Sequence, residues 1–331
     1  MSPRSERRDA ARTRPAPQRY LYRVYGLTVE SELELPELVP VAPQDPDVRI
    51  RFGSIPETLE NQIGQWSWCK ASGSEFVFTI EGVARYHIAG GETITIERRL
   101  DLPKSVSPAD IRLWLLGSAF GAAIHQRGQL PLHVSAVKTP TGVWAFTGAS
   151  GEGKSTLAGF LHARLGWNLM SDDVSVIDQG AVDPIIHPGP KRLKLHGDAI
   201  RRLGFNEFSS VRDLSNTDKF QFALPDDSLY EPAKLCALVV LESVADDKMA
   251  SIARLKGTQA FDACLSAVFR PYMQCWFKLP QKRLEELAIL CQRIKVYRFR
   301  RPRSLPNLDR HIEPLVDEVM QNSVNGKYCD D

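Results

Sequence analysis

The octapeptide Gly148-Ala149-Ser150-Gly151-Glu152-Gly153-Lys154-Ser155 constrains this chain more than any other stretch of it. Its glycines let the backbone curl so that successive N–H groups converge on one anion, and a helix that follows adds the positive end of its dipole. Lys154 supplies a mobile positive charge for outer phosphates, and the Ser155 hydroxyl is small enough to ligate Mg²⁺. Val143-Trp144-Ala145-Phe146 ahead of the loop is apolar and strand-like, while residues 156–165 carry apolar side chains at helical spacing. Strand, loop and helix together make this a phosphate-binding loop rather than a glycine turn that merely caps a helix. A nucleotide follows, cradled by Gly148, Ala149, Ser150, Gly151, Glu152, Gly153, Lys154, Ser155 and Thr156.

A second constellation lies just downstream. The short apolar run Trp167-Asn168-Leu169-Met170-Ser171 ends in consecutive carboxylates, Asp172 and Asp173, and the chain leaves as another apolar strand. One carboxylate there would partner Mg²⁺. Two suggest divided labour, one on the metal and the other accepting a proton from an attacking hydroxyl. The plainer alternative is a pair of turn aspartates between strands. Upstream, residues 130–137 read as one strand and Thr139-Pro140-Thr141-Gly142 as a turn, so a hairpin rather than a crossover feeds the loop. His133 in that strand reads, from the residues alone, as a core histidine.

The remainder places these motifs. A chain of 331 residues suffices for one sizeable core and a smaller domain. With 42 basic and 40 acidic side chains it carries a formal charge of +2, which gives no drive toward nucleic acid or membrane. Six cysteines show no CxxC pair and no metal-ligand spacing, as expected of reduced thiols in a cytoplasmic protein. The longest apolar stretch, 111–124, is interrupted by Arg112 and too short to span a bilayer.

Residues 1–18 form an Arg-rich tail with nothing apolar to bury, expected to be disordered. A β-rich N-terminal domain is expected over 19–104, with strands at 20–26, 47–52, 75–80, 84–88 and 93–96. The nucleotide-binding domain should run over 105–321. It opens with a buried helix at 109–126 capped by Ser107 with Pro108 at its first position. It closes with a helix from Leu308 to about Met320 that packs through Ile312, Leu315, Val316 and Val319, leaving 322–331 as a frayed tail. The run 293–303 interleaves cations with aromatics and reads as a late strand with charged, solvated edges.

Three blocks, Leu132-His133, the segment 148–156 and Leu169-Met170-Ser171-Asp172-Asp173-Val174, resemble the HPr serine kinase/phosphorylase family in order and spacing. The core of that family is also similar to the phosphate-binding part of phosphoenolpyruvate carboxykinase. Fainter similarity extends through 188–195, 218–220, 235–241 and 296–302, toward divergent HPr-kinase-related proteins of bacterial peptide-modification and polysaccharide gene clusters. Some of those relatives phosphorylate a serine of lasso-peptide precursors.

The resemblance implies an α/β fold with a P-loop core, a hairpin before the loop and a small β-rich N-terminal domain. It also implies ATP and Mg²⁺ as cofactors. Lys154 would bind the β- and γ-phosphates, Ser155 and Asp173 the metal. Asp172 would be the base, and His133 would stand near the γ-phosphate. Lys191, Arg192, Lys194 and Lys219 are candidate cationic contacts. The family's Glu-x-Arg-Gly run has no match here. His187-Pro188-Gly189-Pro190 and the basic 191–194 segment stand in its place, so neither HPr as acceptor nor the phosphorylase reaction carries over.

The reading is a kinase acting on a Ser or Thr hydroxyl of a peptide or small protein, with no nucleic-acid or membrane partner and with the oligomeric state left open. A metabolite kinase with the same centre and an ATP-sensing module without transfer are the alternatives. Catalytic candidates are Asp172, His133 and Lys154.

Overall fold

The computed structural model describes residues 18–98, 107–180, 182–204, 210–212, 219–223, 231–303 and 306–325. The N-terminal tail, apart from Gln18, and the last residues of the C-terminal tail lie outside these. The architecture is mixed α/β, two large sheets with helices between and outside them.

Alternating apolar and polar residues build the first sheet. Its strands are β1 (Tyr20–Val24), β2 (Leu27–Ser31), β3 (Val39–Pro40), β4 (Val48–Phe52), β5 (Gly64–Gln65), β6 (Cys69–Ala71), β7 (Glu75–Ile80), β8 (Ala84–Ala89) and β9 (Thr93–Arg98). They lie in the order β3-β1-β2-β4-β9-β8-β7-β6-β5. Phe78 faces Tyr86 across β7 and β8 with ring centroids 4.7 Å apart. Phe76, Ile88, Ile94 and Ile96 complete a fully buried inner face.

Against that face lies helix α1 (Pro108–Trp114), started by a reciprocal Ser107–Asp110 capping box with Pro108 at its first position. It continues through a π-helical segment (Leu115–Ala119) into α2 (Phe120–Gln126). Its residues are apolar all round because both sides are covered. Tyr86 Oη donates to the Ile111 carbonyl from the first sheet at 3.0 Å. Val174, Val176 and Phe269 pack from the other side. Each such Leu, Ile or Phe contributes about 1.5–3 kcal/mol by leaving water.

The second sheet holds the motifs. Its strands are β10 (Leu130–Leu132), β11 (Ser135–Thr139), β12 (Gly142–Thr147), β13 (Asn168–Ser171), β14 (Ser175–Asp178) and β15 (Ile185–His187), joined later in the chain by β19 to β21. Helix α3 (Lys154–Leu165) leaves the glycine loop. A small separate sheet, β16 (Arg192–His196), β17 (Ser210–Arg212) and β18 (Lys219–Ala223), carries α4 (Gly197–Leu203) beside β16. The chain then runs through β19 (Ala233–Val244), β20 (Ser251–Leu255), α5 (Gly257–Ser266), α6 (Tyr272–Trp276), α7 (Pro280–Arg293), β21 (Lys295–Pro302), α8 (Leu308–His311) and α9 (Glu313–Asn325).

The second sheet runs β10-β14-β15-β19-β12-β11-β13, with β21 beside β19 and β20 beside β21. Among the described residues of this sheet, the β12–β19 and β19–β21 pairs are the parallel ones. Helices α5 and α7 bury one face, α3 and α9 the other.

Three sequence expectations change. Residues 130–137 are two strands broken at His133 and Val134, because β10 pairs with β14 while β11 pairs with β12 and β13. At the break the His133 N–H donates to the Ala267 carbonyl at 2.6 Å. The basic run is no solvated edge: β21 sits between β19 and β20 with Val296, Tyr297, Phe299 and Arg301 buried. The last helix is interrupted at Ile312, just ahead of Pro314, and then extends to Asn325. Among the described residues no helix is long and apolar enough to cross a membrane.

Candidate functional site

The hairpin expected ahead of the loop is present, with Ser135 opposite Phe146 and Thr139 opposite Gly142. Strand β12 ends at Thr147, and the glycine-rich segment turns the chain into α3. Two of its glycines are required by position. Gly148 has φ 143°, and a Cβ there would lie 2.8 Å from the Leu241 carbonyl. Gly153 has φ 80°, and its Cβ would lie 2.8 Å from the Arg301 guanidinium. Gly153 caps α3 without a side chain. The start of α3 therefore has no side-chain cap, and the Leu157 N–H makes the bond back to the Gly153 carbonyl at 2.8 Å.

Asp172 and Asp173 occupy the turn between β13 and β14, which the Ser171 and Ser175 hydroxyls close by hydrogen bonding to each other. Asp173 sits at φ 78°, a left-handed conformation that Asp tolerates better than most side chains. This backbone turns the two carboxylates toward different neighbours. Asp172 is 2% exposed and accepts from Ser135 Oγ at 2.6 Å, Ser155 Oγ at 2.8 Å and the Lys194 N–H at 2.9 Å. Asp173 accepts from Lys194 Nζ at 2.9 Å, and His133 Nε2 stands 3.6 Å from its other oxygen.

The electrostatics follow. Burial alone would raise the Asp173 carboxyl, but Lys194, His133 and Arg192 outweigh it and hold it well below the usual carboxylate range. Desolvation lowers His133, and Lys154 adds to that against the pull of Asp173. Lys154 folds back on its own loop, donating to the Gly148 and Ala149 carbonyls at 2.9 and 3.4 Å.

These groups surround one polar cavity of about 280 Å³, walled by loop residues 150–151 and 153–156 and by His133, Asp172, Asp173 and Lys194. The structure thus brings together the candidates His133, Lys154, Ser155, Asp172 and Asp173. Of the basic candidates, Lys194 clamps both carboxylates. Arg192 is buried behind them, and a Cβ at Gly117 would lie 3.7 Å from both Arg192 Nη2 and Asp173 Oδ2. Lys191 is buried, its N–H on the Glu37 carbonyl at 2.7 Å. The Lys219 side chain lies outside the described ones.

Sequence reasoning missed Ser135, whose signal was a lone hydroxyl in an apolar run. It also missed the support beneath the loop. Glu152 accepts from Ser243 Oγ on β19 and from Arg303, both at 2.6 Å, and its carbonyl accepts from Arg301 at 3.2 Å. Burial opposes ionisation of Glu152, yet Ser243 and Arg303 keep its carboxyl below the ordinary value.

No protein-family model and no curated protein matches this chain. Among solved structures it is similar to the Hpr(Ser) kinase/phosphatase from Coxiella burnetii, at 14% identity over 60% of this chain and 97% of that one, with a TM-score of 0.28.

Proposed function

We propose that this chain is an ATP- and Mg²⁺-dependent kinase with an HPr-kinase-like P-loop core, transferring the γ-phosphoryl group to a Ser or Thr hydroxyl of a peptide or small protein. The observation that carries the reading is the hydrogen bond from Ser155, at the open start of α3, to Asp172. It puts a hydroxyl and a carboxylate side by side in a cavity walled by the glycine loop and the first turn of α3.

The donor set fits Mg²⁺. Ser155 Oγ and Asp172 Oδ1 are hard oxygens, and among the described residues no group of three or more His, Cys, Asp or Glu forms a protein cage. An ion held by few protein oxygens and completed by phosphate and water is the usual Mg²⁺ arrangement. When bound, it neutralises charge on the transferring phosphoryl group.

On this reading the two carboxylates exchange the roles that the family resemblance suggests. Asp172, joined to Ser155, serves the metal. Asp173, beside His133 and Lys194, faces the acceptor. The acceptor O–H gives its proton to Asp173, and its oxygen bonds to the γ-phosphorus. The bond from that phosphorus to the β–γ bridging oxygen breaks, leaving ADP. Lys154 swings from the loop carbonyls to the phosphates, and Lys194 fixes the direction of both carboxylates. The work is positioning and charge stabilisation rather than covalent chemistry.

The test is calorimetric titration of MgATP, wild type against Lys154→Ala, followed by transfer from γ-labelled ATP into an extract. Saturable binding lost in Lys154→Ala, with label in a peptide or protein fraction, is expected. Absence of binding removes the proposal. Tight binding with no labelled macromolecule replaces it with a metabolite kinase or a nucleotide-sensing module.

A further inference from the structure

Asp173 and Lys194 also line a second cavity, of about 240 Å³, that touches none of the glycine-loop residues. The pair is therefore the partition between two chambers. Leu113, Trp114 and Phe269 wall the second one, with Ser118 and Arg270 as its polar groups besides the partition.

The π-helical segment makes the opening. π-Bulges expend regular helix geometry to re-aim residues, and they concentrate at functional sites. Here the segment turns Gly117 toward the partition. A Cβ at Gly117 would lie 3.7 Å from Asp173 Oδ2, so the missing side chain leaves that oxygen approachable from the second chamber. The next residue, Ser118, accepts from Arg270 Nη2 at 2.8 Å. Consecutive residues of one helical turn thus set the spacing between a carboxylate and a guanidinium.

Arg270 is built into place. Its backbone is held at φ 44°, its Nη1 donates to Tyr272 Oη at 3.1 Å, and the Phe269 ring lies 5.4 Å from the guanidinium carbon. Both hydrogen-bond partners are neutral, and among the described residues no carboxylate lies within ion-pair distance of it. A fixed guanidinium whose hydrogen-bond partners are both neutral is suited to a planar anion, and a carboxylate matches its fork.

We propose that this chamber binds the acceptor, and that Arg270 reads a carboxylate carried on the hydroxyl-bearing residue or on its neighbour. The inference rests on the kinase reading above for the role of the hydroxyl. A peptide fits better than a small metabolite, because the wall continues past Arg270 as an exposed aromatic surface. Trp68 lies 5.9 Å from the guanidinium, and Trp66 packs on Trp276 at 4.6 Å. An extended chain can stack along such a surface.

The test is binding of short acetylated serine peptides to the full chain without nucleotide. One peptide ends in serine as the free acid, one is the same sequence as the carboxamide, and one is a carboxamide with glutamate after an internal serine. At least one carboxylate-bearing peptide should bind about tenfold tighter than the plain amide. Whichever it is identifies the carboxylate as terminal or side-chain. Arg270→Gln should erase the difference.

Gly117→Ala meets only ordinary contacts, so it should fold, and it should weaken the preferred peptide by narrowing the approach to Asp173. Equal binding of all peptides, a preference that survives Arg270→Gln, or no binding at all would overturn the proposal. Because nucleotide is absent, failure to bind ATP would sink the kinase reading while leaving this result legible.

Discussion

Arg301 on β21 donates to the backbone carbonyl of Glu152 at 3.2 Å, bolting the glycine loop to a strand that arrives 149 residues later. Arg301 is buried and Arg303 exposed, although both reach Glu152. The two should therefore separate. Arg301→Ala removes a buried charged donor whose guanidinium lies beside Gly153, and is expected to cost about 2 kcal/mol of stability. Nucleotide affinity should fall roughly tenfold as the loop loosens. Arg303→Ala, an exposed ion-pair partner, should cost less than about 1 kcal/mol. Urea midpoints and MgATP titrations of the two variants check the order, and equal effects would count against the bolt.

The carboxylate pair gives a sharper contrast. Asn shares the tolerance of Asp for left-handed backbone, so Asp173→Asn should keep the turn at φ 78°. It should leave MgATP binding within about twofold and lower single-turnover transfer by a factor of about 100 or more, the usual worth of a general base. Asp172→Asn, which faces Ser155, should instead weaken the Mg²⁺ dependence of nucleotide binding. Calorimetry with and without Mg²⁺, beside rapid-quench transfer, reads both. The opposite pattern would restore the assignment drawn from the resemblance, with Asp172 as base.

Much of this was legible because it is local. The loop, the hairpin before it, the helix after it and the Ser107 cap are each written within a few residues, where turn chemistry and periodicity act directly. The five N-terminal strands that were expected were readable for the same reason, from their β-branched and aromatic runs. Strand β2 was not, since the tight turn at Tyr25 and Gly26 falls inside the run 20–26 that reads as a single strand.

What sequence could not show was contact between distant segments. Ser135 and Lys194 converge on Asp172 from 37 and 22 positions away, and only strand pairing decides that. Charge misled in β21, where Lys295, Arg298 and Arg300 suggested solvent although parallel pairing with β19 buries the alternate positions.

His125 on α2 gives the pH dependence. It is fully buried, and its Nε2 donates to the Phe269 carbonyl at 2.7 Å. Burial, aided by Arg283, lowers the imidazole from 6.5 to about 4 despite that bond. The unfolded chain therefore takes up a proton first as pH falls. Stability is fully present above pH 6.5 and is lost as pH drops toward about 4, where the folded chain protonates too. The loss across that window should reach about 3 kcal/mol. Since His133 and His187 are lowered as well, the wild-type slope includes them. His125→Gln keeps an N–H donor without a titrating nitrogen, so the difference between the two urea-midpoint profiles isolates His125, and parallel profiles would refute its part.

Tyr25 ties the first sheet to the site. It sits in the turn between β1 and β2 at φ 55°, its N–H donates to the Pro188 carbonyl at 2.8 Å, and its ring lies 6.2 Å from that of Phe120. Its hydroxyl is buried without a hydrogen-bond partner, and burial, with Asp173 and Asp172 nearby, keeps the phenol neutral against the pull of Arg192. An unpaired buried hydroxyl contributes nothing and costs its desolvation. Tyr25→Phe is therefore expected to leave stability unchanged or raise it by up to about 1 kcal/mol. Tyr25→Ala should lose about 3–5 kcal/mol through the cavity it opens. If the ring, and not the hydroxyl, props the floor beneath the carboxylate pair, Tyr25→Phe also retains MgATP binding and transfer while Tyr25→Ala lowers transfer. Denaturant titration and single-turnover assays of both variants decide it, and a loss above about 1 kcal/mol in Tyr25→Phe would show that the hydroxyl has a stabilising partner.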